Sequence, residues 1–310
     1  MAIQWYPGHM HKAQKEMRQL LPTVDMVIEV LDARIPFSSQ NPLLASLRGD
    51  KPVIKILAKS DLADPENMAL WQQHLEAQEG VKTLAVSTES PERIHRVQEL
   101  CRKLAPANTA NQGKVTAMIA GIPNVGKSTL INTLAGRAIA KTGNEPAVTR
   151  HQQRIAIATD VLLLDTPGVL WPKQAYALSS YRLALTGAIR ETALEYEDLG
   201  FFFAEFLLEH YPDSLSRRYG LETLPEETLP LLEKIARLRG CLGAGGRADF
   251  DKVARLLVND YRSGVFGRLA LETPEGVAQE VELADTQAAL AAERKAEAKA
   301  RRRAAYKKRK

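Results

Sequence analysis

Six short apolar runs rich in β-branched residues punctuate the first half of the chain, at residues 26–31, 53–57, 83–86, 115–120, 154–158 and 161–164. Most are apolar throughout rather than alternating, which is the pattern of strands covered on both faces. Stretches with helical spacing lie between several of them, at 67–78, 92–104 and 128–134. Strand alternating with helix predicts an α/β fold on an open, mostly parallel sheet with helices on both sides. The last two runs, joined through Thr159-Asp160, read as one antiparallel hairpin at an edge.

Beyond Gly168 the pattern changes. From about residue 175 only helical periodicities remain, at 176–192, 198–209, 229–237 and 249–263. Turn signals at Tyr211-Pro212-Asp213 and Gly243-Ala244-Gly245-Gly246 separate them. The expected organisation is an α/β domain over 1–174, an all-α domain over 175–284 and a tail over 285–310. The tail is rich in Ala, Glu, Lys and Arg, so it favours helix, but it has no apolar stripe with which to pack.

Composition changes this picture in one respect. The 310-residue chain carries a net charge of +5, yet residues 294–310 hold ten Lys/Arg against the single acid Glu297. The tail is therefore +9 and residues 1–293 carry −4. A basic arm on an acidic body suits a phosphate backbone as partner. It contains Tyr306 but no interleaved aromatics for base stacking. An anionic membrane is the weaker alternative, since no apolar face accompanies the charge. No apolar run is long enough to span a bilayer. The N-terminus lacks signal-peptide regions, and Cys101 and Cys241 match no metal or disulfide spacing, so a cytoplasmic, monomeric protein is expected.

The chemistry begins at Gly121-Ile122-Pro123-Asn124-Val125-Gly126-Lys127-Ser128, a Gly-x4-Gly-Lys-Ser phosphate loop between a strand and a helix. Backbone N–H groups from Asn124 through Val125, Gly126, Lys127, Ser128 and Thr129 can wrap phosphate oxygens, aided by the helix N-terminus. Lys127 would reach the β- and γ-phosphates, and the Ser128 hydroxyl would bind Mg²⁺. Asp165-Thr166-Pro167-Gly168, at the end of a strand, supplies the expected companions: a carboxylate for Mg²⁺ and the Gly168 N–H for the γ-phosphate. Between the two, Thr149 is the candidate for a second Mg²⁺ ligand and γ-phosphate sensor.

Lys59-Ser60-Asp61 follows the second strand. A carboxylate there can accept two hydrogen bonds from guanine, a donor pair that adenine lacks, while the Lys59 stem lies across the base. Ser87-Thr88 would offer backbone N–H groups to the base carbonyl. Base recognition thus precedes the phosphate loop, the reverse of the usual order. Such a permutation costs a compact domain little, because its termini tend to lie close together.

This permuted order, the opening Trp5-Tyr6-Pro7-Gly8-His9-Met10, and the segments Arg239-Gly240-Cys241-Leu242, Gly245-Gly246-Arg247 and Asn259-Asp260-Tyr261-Arg262-Ser263-Gly264 resemble the ribosome biogenesis GTPase A family over about residues 1–270. The resemblance implies a circularly permuted Ras-like P-loop GTPase domain followed by an all-α, RNA-contacting domain. It implies GTP hydrolysis during late maturation of the bacterial large ribosomal subunit, with precursor particles and their rRNA as partners. It also points to His9 as the group that orients the attacking water, a task imidazole can perform near neutral pH. The alternative for His9 is a merely exposed or RNA-contacting side chain. Asn124 resembles a position that helps hold a monovalent cation, K⁺, in potassium-activated relatives; otherwise it stabilises a turn.

Two departures stand out. The family's Asn-Lys-x-Asp is Ala58-Lys59-Ser60-Asp61 here, so an amide that would bond the base and brace the phosphate loop is missing. Val169 stands where a Ras-like enzyme carries its water-orienting Gln. Two other classes stay open at this point: a P-loop enzyme acting on a small substrate, which Asp61 argues against, and a hydrolysis-poor RNA-binding scaffold. If Asp61 reads guanine, Asp61→Asn shifts nucleotide preference from guanine to xanthine, whose second oxo group replaces the amine; competition binding with GDP and XDP measures this.

Overall fold

A computed structural model describes residues 8–106, 113–140, 153–171 and 176–307, with His9 and residues 300–307 described through their backbone alone. Strands β1 (Met26–Asp32), β2 (Val53–Ala58), β3 (Val81–Ala85), β4 (Val115–Gly121), β5 (Gln153–Ala156) and β6 (Val161–Asp165) form one sheet in the order β3-β2-β1-β4-β6-β5. All neighbours are parallel except β5 and β6, which pair antiparallel at the edge. The six apolar runs are these strands, and the hairpin lies where expected. β1 and β2 are buried along their whole length, as continuous apolar runs require.

Helices α1 (Gly8–Leu20), α2 (Pro42–Leu47), α3 (Pro65–Glu76), α4 (Pro91–Leu104) and α5 (Lys127–Ala135) accompany the sheet. Their starts are written locally. Asp64 accepts from the Asn67 N–H at 2.8 Å and Pro65 follows at the first helical position. Asn41 and Pro42 open α2 in the same way, with Asn41 accepting from the Leu43 N–H at 3.0 Å. Parallel strands carry their connecting loops to one edge. The ends of β1, β2, β3, β4 and β6 therefore converge, and strand order reverses between β1 and β4, where ligands of such sheets bind.

The second half is helical: α6 (Ala177–Leu185), α7 (Tyr196–His210), α8 (Pro212–Tyr219), α9 (Thr228–Arg239), α10 (Phe250–Arg262) and α11 (Pro274–Lys307). The helix expected over 176–192 is shorter than its period suggested. It ends at Leu185, and Gly187 takes φ +82° against the Arg262 guanidinium before a 3₁₀ turn at Glu191–Ala193. Pro212, read as a turn signal, begins α8 instead. The apolar core continues from the sheet into this unit, joining Ile119 and Leu164 to Leu183, Phe203 and Ile235.

The chain then returns to the sheet. The Leu269 N–H donates to the Leu62 carbonyl at 3.1 Å, and the Leu271 N–H to the Arg34 carbonyl at 3.0 Å. The Glu272 carbonyl accepts from Asn67 Nδ2 at 2.9 Å and Trp71 Nε1 at 3.0 Å. The buried Glu272 carboxylate takes the Phe37 N–H, the Ser38 N–H at 3.0 Å and the Ser38 hydroxyl at 2.6 Å; burial pushes its pKa up, with Arg182 opposing. From there α11 crosses residue 284 without a break, packing Val277 beside Trp71 and Leu75 before running out with exposed side chains from Asp285 through Lys299. Among the described residues no helix is long and apolar enough to cross a membrane.

Helices α7 and α10 meet at Gly200, where a Cβ would stand 2.4 Å from Ala254 Cβ and 2.9 Å from its Cα. Gly200→Ala must push the α7 and α10 backbones apart, an overpacking cost of about 1–3 kcal/mol that outweighs the gain in helix propensity. A lower calorimetric unfolding midpoint is the expected result; an unchanged midpoint contradicts the close approach.

Candidate nucleotide site

The phosphate loop leaves β4 at Gly121 and enters α5 at Lys127, as its sequence demands. Two residues bend it through the left-handed region: Asn124 at φ +57° and Gly126 at φ +103°. Asparagine is among the few side chains that accept this conformation readily. Asn124 Nδ2 donates to the Gly187 carbonyl of the helical unit at 2.8 Å. Val125 is buried below the loop.

Lys127 and Asp165 are both buried, and the ammonium is hydrogen-bonded to Asp165 Oδ1. Desolvation pushes the Asp165 pKa up while the Lys127 charge pulls it back. The other oxygen, Oδ2, is buried without a hydrogen-bond partner. An orphaned carboxylate oxygen at the end of β6, the strand paired with the one that leads into the phosphate loop, fits a hard divalent cation, which takes oxygen donors.

The turn after Asp165 lies directly on the phosphate loop. The Thr166 N–H and hydroxyl both donate to the Ile119 carbonyl, at 3.2 and 2.9 Å, and the Val169 N–H donates to the Gly121 carbonyl at 3.2 Å. A Cβ on Gly168 would stand 3.2 Å from both Cα and N of Pro123. Val169 itself is buried and has no polar atom to offer water.

At the base end, Lys59 takes φ +56°, and its ammonium donates to the Asn124 carbonyl at 2.9 Å and to Asp32 Oδ2 at 3.1 Å. Burial lowers the Lys59 pKa, and the Asp32 charge opposes the shift. The sequence suggested only a stem lying over the base; the ammonium adds a direct brace on the phosphate loop, on the side where Ala58 lacks an amide. The Ser60 N–H donates to the Val86 carbonyl at 3.1 Å, tying this turn to the end of β3.

One cavity of 1160 Å³ gathers Lys59, Asp61, Ser87, Thr88, Asn124, Val125, Gly126 and Thr129, with Ala58 and Arg34. Residues separated by as much as ninety-five positions in sequence, from Arg34 to Thr129, thus face one space. Ser60, Lys127, Ser128, Asp165 and Gly168 do not line it; Ser60 sits in the turn between Lys59 and Asp61, and Lys127 meets Asp165 at the phosphate-loop end. The opposite wall comes from the helical unit, through Gly187, Arg190, Asn259 and Arg262 among others. Sequence reasoning missed this wall, and missed Asp32 and Arg34. The latter had a readable signal, a charged pair directly after an apolar strand. His9 enters α1 by its backbone, with its side chain outside the description, and Thr149 lies outside the described residues. Among the described residues no group of three or more His, Cys, Asp or Glu gathers for a metal.

A model of the family described as 50S ribosome-binding GTPase matches residues 116–199, from the phosphate-loop strand into α7. The chain is 42% identical over 282 residues to ribosome biogenesis GTPase A of Bacillus licheniformis, an alignment spanning 89% of this chain and 99% of that protein. It is 34% identical over 292 residues to mitochondrial ribosome-associated GTPase 1 of Mus musculus, covering 86% and 89%. Among solved structures it is similar to GNP-bound YlqF from T. maritima, with a TM-score of 0.61 and 27% identity over 86% of this chain and 99% of that one. The GDP-bound form gives a TM-score of 0.59.

The contact of Gly168 with Pro123 yields a specific expectation. Gly168→Ala should displace the turn and weaken a triphosphate analogue about tenfold relative to GDP, a difference of about 1.4 kcal/mol. Titration with fluorescent GDP and a non-hydrolysable GTP analogue checks it; equal weakening of both would mean the turn does not sense the third phosphate.

Proposed function

Since the chain belongs to the ribosome biogenesis GTPase A family, we propose that it hydrolyses GTP to GDP and phosphate as an assembly factor in late maturation of the bacterial large ribosomal subunit. The observation that carries this reading is the shared cavity of Lys59 and Asp61 with Asn124, Val125 and Gly126, base recognition meeting the phosphate loop in permuted order. Asp61 accepts from the guanine edge, Ser87 and Thr88 flank the base carbonyl, and the backbone from Asn124 to Thr129 holds the phosphates.

Mg²⁺, held by Ser128, Asp165 and Thr149, supplies positive charge to the terminal phosphates when bound. The unpartnered Asp165 oxygen supports this ligand set. Lys127, beside Asp165 at the start of α5, is the residue that would reach the β- and γ-phosphates. Gly168 offers its N–H to the γ-phosphate. Buried Val169 cannot orient water; the family resemblance gives that role to His9, carried at the start of α1. Asn124 is the residue through which K⁺ would act.

In this reading residues 1–174 are the GTPase unit, 175–284 the RNA-facing unit and 285–310 a basic arm that adds attraction to rRNA. The protein acts as a monomer in the cytoplasm, on a precursor of the large subunit rather than on a membrane. Co-sedimentation with large-subunit precursors, with turnover measured with and without them, tests the whole reading. Binding favoured by a GTP analogue over GDP, and turnover raised by the particles, are expected. His9→Ala should abolish the stimulated rate while leaving nucleotide affinity intact. Binding that ignores the nucleotide, or turnover that ignores the particles, would overturn the proposal.

A further inference from the structure

Behind Lys59, at the wall of the cavity, lies a buried ion pair that the nucleotide chemistry above does not use. Asp32 ends β1 and is fully buried; Arg34 is 2% exposed. Arg34 grips both carboxylate oxygens, Nε to Oδ1 at 2.9 Å and Nη2 to Oδ2 at 2.8 Å, and its backbone N–H reaches Oδ1 at 3.1 Å. Lys59 shares Oδ2. Against the desolvation of burial, these two cations hold the Asp32 carboxyl well below the usual carboxylate range. Arg34 Nη1 has no partner.

The other side of Arg34 belongs to the helical unit. Its guanidinium carbon stands 4.6 Å from the centre of the Tyr261 ring, on α10, and that ring is 5.1 Å from Phe203 on α7. The Arg34 carbonyl accepts from Leu271. A buried Arg–carboxylate pair is a poor source of stability, because desolvation cancels most of its attraction. What a bidentate grip does supply is geometry. Here the object held in place is the carboxylate that fixes the Lys59 ammonium, and that ammonium braces the phosphate loop at the Asn124 carbonyl.

We infer that Arg34 is a positioning residue for nucleotide binding: through Asp32 it sets the Lys59 ammonium on the phosphate loop, and the packing of Tyr261 on Arg34 makes the firmness of that brace depend on the docking of the helical unit. This rests on the reading of Lys59 and the phosphate loop as the guanine-nucleotide site. A long lysine side chain unheld by Asp32 loses rotamer freedom each time it docks, so the brace weakens and nucleotide leaves faster. It follows that a partner which draws α10 away from Arg34 loosens bound guanine nucleotide with no contact to it.

The test is the dissociation rate of fluorescent GDP from the full chain, measured for Arg34→Gln, Lys59→Met, the double variant and Tyr261→Leu. Loss of one charge-assisted hydrogen bond should raise the rate about tenfold for Arg34→Gln and for Lys59→Met. The double variant should release GDP no faster than Lys59→Met, since both act through one ammonium. Tyr261→Leu, which leaves the buried charges in place, should give a severalfold rise. Ile235→Ala, in the helical core away from the cavity, is the stability control: its unfolding midpoint falls and its GDP rate stays that of the wild type. If Arg34→Gln fails to fold, Asp32→Asn takes its place in the same cycle. Effects that multiply in the double variant, or an Arg34→Gln rate no different from that of Ile235→Ala, would overturn the positioning role. A wild-type chain that fails to bind GDP at all would instead overturn the site assignment beneath it.

Discussion

Where β1 lies beside β4, Val30 stands opposite Gly121, and a Cβ on that glycine would meet the Val30 carbonyl oxygen at 2.8 Å. This pairing brings the end of one strand, with Asp32, against the start of the phosphate loop. The sheet order reverses at this joint, and both halves of the site hang from it. β2 and β3 carry Lys59, Asp61 and Ser87 on one side; β6 carries Asp165 on the other. Because all these strands run parallel, none of the residues needs a long loop to arrive. Permuting the chain leaves that geometry untouched, since what matters is which strands are neighbours and not which is made first.

Charge burial follows the same line. Lys127 with Asp165, and Asp32 with Arg34 and Lys59, lie at the strand ends, and Lys55 with Glu29 lies midway along β2 and β1. Ion pairs taken out of water contribute little net stability, and a domain that buries several is holding groups in position. The contrast inside the site is informative. Asp32 has its oxygens filled by two cations, so its ionisation is firmly favoured; Asp165 keeps one oxygen unsatisfied and its pKa is raised. The first is held on both oxygens by the frame; the second keeps one oxygen open.

The strands were legible because runs such as those at 115–120 and 161–164 are apolar on both faces, a pattern no surface helix produces. The phosphate loop was legible because its glycines and Lys-Ser are contiguous. α1 escaped notice: it buries Met10, Ala13 and Met17 but is otherwise polar, so its apolar stripe is thin. Asp32 and Arg34 were visible as charges after a strand, yet their meaning depends on Tyr261, more than two hundred residues away. Gly187 was lost inside a helical periodicity: its positive φ closes α6 in a local cap, with the Ala188 N–H donating to the Leu183 carbonyl at 2.9 Å, while its own carbonyl takes Asn124 from across the site. Local pattern reveals elements; contacts between distant elements are fixed by packing and carry no local mark.

The start of α11 sets the geometry of the basic arm. Its first turns are moored to α3 by the Glu272 carbonyl and Val277, and Arg182 of α6 clasps Glu280 with two hydrogen bonds, at 2.9 and 2.5 Å. The helix is thus anchored to the sheet side of the molecule and to the first helix after the Asp165 turn at once. At 1.5 Å of rise per residue, the stretch from Asp285 to Lys307 extends roughly 33 Å. A boom of that length, pivoting at Arg182, converts a rotation of α6 by a few degrees into a sweep of ångströms at its charged tip.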